Sequence, residues 1–126
     1  MRKLSLILAF LLSVAACHGQ TRRAVDYVTT PEDRALAEKV LTVLKKHPGE
    51  EPGEQMVRAA KSLLGQPYVA GTLEELPDEK LCIYLTRTDC ILFVETCLGL
   101  VRAARRDGDF ETLAEELQQS RYRNGR

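Results

Sequence analysis

Apolar residues form one unbroken run and then fall into spaced patterns along the rest of the chain. Leu4 to Ala16 is a continuous stretch of Leu, Ile, Val, Ala, Phe and Ser behind a basic Met1-Arg2-Lys3 start. Its 13 residues fall short of the roughly 20 a membrane-spanning helix needs. Thr30-Pro31-Glu32-Asp33 then opens a helix, with a capping Thr, Pro in the first turn and two acids at the positive end of the dipole. Leu36, Val40, Val43 and Leu44 follow at helical spacing, and Lys45-Lys46-His47 and Pro48-Gly49 close it. Glu50 to Gly53 reads as a turn. A second helix is expected from Glu54 to Leu64, with Val57, Ala60 and Leu64 on its apolar face and Gly65 as its C-cap. Gln66 to Glu79, with two Pro and a Gly, reads as loop. Lys80 to Leu85 alternates and predicts a short half-buried strand, with Leu81, Ile83 and Leu85 inward and Lys80, Cys82 and Tyr84 outward.

Thr88-Asp89 caps a third helix from Cys90 to Asp107. Its first half is apolar almost all round and is expected to be buried. Arg102, Arg105 and Arg106 suit its C-terminal end, and Gly108 terminates it. Asp109 caps a last helix to Ser120, striped by Phe110, Leu113 and Leu117. Four helices and one strand make an α+β chain. A lone strand cannot satisfy its backbone groups, and Arg121 to Arg126 reads as a turn leading onward, so most of the sheet is expected outside this chain.

The basic start, short apolar run and small residues at its end mark residues 1–16 as a secretory signal peptide. Val14-Ala15-Ala16-Cys17 also has the order of a lipobox, in which cleavage before Cys17 leaves its thiol to carry diacylglycerol. The other reading is an ordinary signal peptide with an incidental Cys. The fit of the four residues without adjustment favours lipidation. The expectation is an exported, periplasmic protein held to a membrane through Cys17, with a polar tether over 17–29 and one domain over 30–126. The 126 residues allow a single domain, and 44% hydrophobic content argues against disorder. The 18 basic residues equal the 18 acidic ones, so no charge excess calls for nucleic acid. A monomer is expected.

The four cysteines are Cys17, Cys82, Cys90 and Cys97. Their spacing lacks a paired C-x-x-C, so no zinc site or other metal is expected. Cys82 could form a disulfide with Cys90 or Cys97 after export. Cys90 stands out by its place in the first turn of a helix, where backbone N–H groups and the dipole favour a thiolate and can hold an oxyanion. The competing reading makes it a small core residue, because Cys90, Val94, Cys97, Val101 and Ala104 form one seam. Cys97, deeper in that seam, reads as packing. Glu95 is expected to hydrogen-bond a backbone or loop group. His18 and His47 read as bystanders.

Gly65-Gln66-Pro67-Tyr68-Val69-Ala70-Gly71-Thr72-Leu73-Glu74, Glu79-Lys80-Leu81, Asp89-Cys90 and Phe93-Val94-Glu95 occur in this order. Together with Arg121-Tyr122-Arg123-Asn124-Gly125 they resemble the N-acetylmuramoyl-L-alanine amidase-like family of NlpC-type, papain-like cysteine hydrolases, over about residues 54–126. The resemblance implies a cell-wall cysteine amidase that cuts muropeptides between the muramic-acid lactyl group and L-alanine, without a cofactor. It makes Cys90 the nucleophile, Tyr68 a loop residue near the site, and Asp89 the residue preceding the nucleophile, the last two expected at the substrate. Two positions depart from the family, which has two Thr after the Cys where this chain has Ile91 and Leu92. The family's catalytic His follows the segment resembling Arg121–Gly125. The expectation is therefore an N-terminal, papain-like helical part of such an amidase, with its antiparallel sheet mostly missing and inactive alone. The alternative is a non-enzymatic lipoprotein that binds muropeptide or a protein partner.

Overall fold

The computed structural model describes residues 24–122. The signal peptide, Cys17, His18 and residues 123–126 lie outside them. In chain order the elements are β1 (Tyr27–Val28), α1 (Pro31–Lys45), α2 (Pro52–Ser62), a 3-10 turn (Thr72–Glu74), β2 (Leu81–Cys82), α3 (Cys90–Arg105) and α4 (Phe110–Arg121).

The helix starts follow their capping chemistry. Thr30 accepts from the Asp33 N–H at 3.1 Å, and Pro31 occupies the first turn of α1. Asp109 and Thr112 form a reciprocal capping box at α4. At α2 the expected boundary moves. Glu51 and Glu54 make a capping box, so Pro52 and Gly53 belong to the helix and not to a turn. The apolar face of α2 is also rotated from the expected one. Gln55, Ala59 and Leu63 are buried, whereas Val57 is 54% and Leu64 75% exposed. Small Ala59 admits close packing. Buried Gln55 is satisfied by donating to the His47 carbonyl at 3.0 Å and accepting from Arg105 at 3.2 Å.

α3 is the central helix, packed against α1, α2 and α4. Its second half carries the core through Cys97, Leu100, Val101, Ala103 and Ala104, met by Ala37, Val40, Leu41 and Leu44 of α1 and by Phe110, Leu113 and Leu117 of α4. Gly99 lets α4 approach, since a Cβ there would stand 3.0 Å from Leu113 Cδ1 and 3.2 Å from Leu117 Cδ2. The first half of α3 is not buried as expected. Leu92 is in the core, but Cys90 is exposed, Ile91 is 63% exposed and Val94 57%. The three packing helices engage other faces of α3, and no described element covers this one.

The sheet has two strands, where the pattern predicted one. β1 pairs β2 in parallel, Tyr27 opposite Leu81 and Val28 opposite Cys82. The end of the segment read as a tether thus belongs to the fold, with Val25 and Tyr27 packed on the core. The alternation predicted for residues 80–85 also fails at Cys82 and Tyr84, which are buried with Leu81, Ile83 and Leu85. Both sides of this segment are occupied. β1 lies along one edge, Arg121 of α4 donates to the Cys82 carbonyl at 2.5 Å, and the Arg87 guanidinium lies 4.4 Å from the centre of the Tyr84 ring.

Candidate active site

The segment from β2 to α3 delivers Asp89 and Cys90 to the surface, and neighbouring elements hold it at several points. The Ile83 N–H donates to the Val28 carbonyl at 2.9 Å, and the Thr29 hydroxyl donates to the Ile83 carbonyl at 2.9 Å. Further along, the Asp33 carboxylate accepts from the N–H groups of Leu85 and Thr86, each at 2.7 Å, and from the Thr86 hydroxyl at 2.8 Å. The other carboxylate oxygen accepts from the Thr30 hydroxyl at 2.7 Å. Burial would raise the Asp33 carboxyl, but these hydrogen bonds outweigh it and hold the group below the ordinary aspartate value.

Closer to Cys90, the loop after α2 runs parallel to the segment. Thr88 donates from its N–H to the Pro67 carbonyl at 3.1 Å, and the Val69 N–H donates to the Thr88 carbonyl at 2.9 Å. This bridge sets Tyr68 opposite Thr88, two residues before Cys90, with its side chain largely exposed. Asp89 is the N-cap of α3, its carboxylate accepting from the Leu92 N–H at 2.8 Å. Cys90 is the first residue of the helix. A helix gives its first backbone N–H groups no internal partner. Asp89 takes that of Leu92, and those of Cys90 and Ile91 lie in the same turn.

The structure thus brings Tyr68, Asp89 and Cys90 to one surface region, with Ile91 beside them. All three described cysteines are free thiols, with no disulfide among them, and they differ sharply in setting. Cys82 and Cys97 are buried and Cys90 is exposed. Burial pushes the Cys97 thiol up to about 11, which fits an inert packing residue. Cys90 therefore stands outside the core seam that its competing reading placed it in, which begins only at Cys97.

Other candidates stand apart from this region. The His47 carbonyl is tied through Gln55 to Arg105, the last residue of α3. Cys90 is the first, so His47 stands at the opposite end of a helix roughly 22 Å long. A cavity of about 460 Å³ between α1 and α2 is lined by Val43, Glu50, Glu54, Val57, Arg58, Lys61 and Ser62, none of them from the Cys90 loop. Among the described residues Glu95 bonds neither backbone nor loop. It accepts from Arg121 Nε at 2.8 Å, tying α3 to the end of α4. That pair and the Asp33 latch both join residues far apart in sequence, and periodicity gives no sign of either. Asp33 reads locally as an ordinary first-turn acid, which hides its second role.

A family model described as AmiA-like, N-acetylmuramoyl-L-alanine amidase-like, matches residues 58–126. The matched span includes Tyr68, Asp89 and Cys90, and it excludes β1 and α1. Neither the curated proteins nor the solved structures gave a match.

Proposed function

Because this chain belongs to the N-acetylmuramoyl-L-alanine amidase-like family, we propose that it carries the nucleophile of an exported, NlpC-type cysteine amidase. Its substrates are peptidoglycan fragments, cut at the amide between the muramic-acid lactyl group and L-alanine. One observation supports this most: Cys90, alone among the described thiols, is exposed, and it opens the central helix α3 from a loop that hydrogen bonds hold on both sides.

In this mechanism the Cys90 thiolate attacks the lactyl carbonyl carbon, and a C–S bond forms. Electrons move to the carbonyl oxygen, which meets the N–H groups of the first turn of α3. Collapse breaks the C–N bond and the protonated amine of L-alanine leaves. Water then hydrolyses the thioester and returns the thiol. Asp89 supports the step by ordering that turn, and the exposed Tyr68 ring flanks the incoming fragment. No imidazole among the described residues stands beside Cys90, so this reading takes its general base from outside them. Ile91 gives the rim an apolar contact where the family has a hydroxyl. Cys17 carries the lipid that holds the protein at a periplasmic membrane face.

Cys90→Ser is the test. Release of peptides with a free L-alanine amino group should be abolished while the melting temperature stays put. Turnover unchanged by the substitution would sink the reading. The exposed Tyr68 and Ile91 side chains beside Cys90 favour a second reading, in which the chain binds muropeptide without cutting it. Saturable binding by the wild-type chain, with no new amino group released, would establish that one.

A further inference from the structure

We infer that Asp33 is a positioning residue for Cys90, so that the N-terminus of α1, outside the family-matched span, forms part of the working site. The inference rests on the reading of Cys90 as the nucleophile and deepens it.

The geometry is specific. Asp33 is 1% exposed, and its carboxylate gathers donors from two directions. Thr30 contributes a hydroxyl from the cap of α1, and Leu85 and Thr86 contribute two successive N–H groups and a hydroxyl. Two consecutive N–H groups sharing one oxygen fix the peptide planes on either side of Leu85. Hydrogen bonds to an ionised acceptor are about twice as strong as neutral ones. The segment then runs only through Arg87 and Thr88 before it reaches the Asp89 cap. At Thr88 the second restraint acts, through Pro67 and Val69. Asp33 therefore sets where the segment leaves the core, and the Thr88 bridge sets where it enters α3. Removing the first restraint lets the strand-to-helix connection shift as a unit. The first turn of α3 then loses its fixed relation to the loop that carries Tyr68.

A merely structural Asp33 would lower stability without touching the thiol. The two cases separate in an experiment on the full chain that needs no substrate. Iodoacetamide forms a C–S bond with Cys90 and expels iodide, and the modified peptide is quantified by mass spectrometry at neutral pH well below melting. Asp33→Asn and Thr86→Ala are each expected to slow alkylation at Cys90 by roughly threefold to tenfold, as the first turn of α3 loses its fixed relation to the cap segment and the Tyr68 loop. Thr86→Ser, which keeps the hydroxyl, restores the wild-type rate. Leu44→Ala, on the core face of α1, lowers the melting temperature and leaves the Cys90 rate alone. If Asp33→Asn does not fold, the Thr86→Ala and Thr86→Ser pair decides. A Cys90 rate unchanged or raised in the latch variants overturns the inference, as does a Leu44→Ala rate that falls with theirs. Retained turnover in Cys90→Ser would remove the nucleophile reading alone, since alkylation reports the setting of the thiol and not catalysis.

Discussion

Asp33 accepts four hydrogen bonds with one carboxylate, so its protonation state bears on the stability of the whole chain. Its folded-state value lies below the ordinary 3.8, so the unfolded chain takes up the proton more readily. The stabilisation is therefore complete above the ordinary value and is lost as pH falls below it toward the lower folded value. Asp33→Asn should cost about 2–3 kcal/mol at neutral pH. Urea midpoints at about pH 6 and about pH 3 check the sign, because the gap between wild type and variant should narrow at the lower pH. Cys97, at about 11, is ionised to only about one part in ten thousand at neutral pH. Iodoacetamide should label Cys90 in the folded protein and reach Cys82 and Cys97 only after denaturation, as peptide masses would show.

At the scale of elements, the turn between α3 and α4 is the most demanding joint. The Gly108 N–H donates to the Ala103 carbonyl at 2.8 Å and the Asp107 N–H to the Ala104 carbonyl at 3.0 Å, which is a Schellman motif. The left-handed position falls on Asp107, with φ 51°, and not on the neighbouring glycine. Asp107→Gly should therefore stabilise the protein by about 0.5–1 kcal/mol. The exposed ion pair with Lys45 that it removes is worth less. Gly108 is needed for space instead, because a Cβ there would stand 2.5 Å from Thr112 Cβ, inside the capping box of α4. Gly108→Ala should cost about 1–3 kcal/mol, as overpacking does. Thermal melts of the two variants should move in opposite directions. The sequence marks Gly108 as the helix end, and only the backbone reveals that its neighbour takes the strained conformation.

The whole molecule depends on residues that the family match does not include. α1 supplies Ala37, Val40, Leu41 and Leu44 to the core. Burying one Val and two Leu at roughly 1.5–3 kcal/mol each is comparable with the 5–15 kcal/mol by which small domains are stable at all. A chain of residues 58–126 alone should therefore melt without a cooperative transition, and circular dichroism would show it. Residues 24–126 should melt cooperatively under the same conditions. Cys17→Ala should shift the protein from the membrane fraction to the soluble one in cell fractionation.

Features that depend on neighbours along the chain follow from the residues alone. Thr30, Asp89 and Asp109 declare their helix starts because a cap bonds an N–H two or three residues on. Cys90 was legible as a first-turn thiol for the same local reason, and the motif around it pointed to the family. Which faces are buried and which distant groups meet follow only from the packing of the closed fold. The α2 pattern was compatible with a Val57 and Leu64 face, yet α3 selected Gln55, Ala59 and Leu63, because Arg105 and the His47 carbonyl could satisfy the amide. β1 has two residues, too few for periodicity to register, and it exists because β2 offers it an edge. The Cys90 seam looked continuous in one dimension, but its upper end is exposed because α1, α2 and α4 pack elsewhere on α3. The Asp33 latch spans 52 residues to Leu85, a separation at which chain-local preferences carry no information and only the closed fold brings donor and acceptor together.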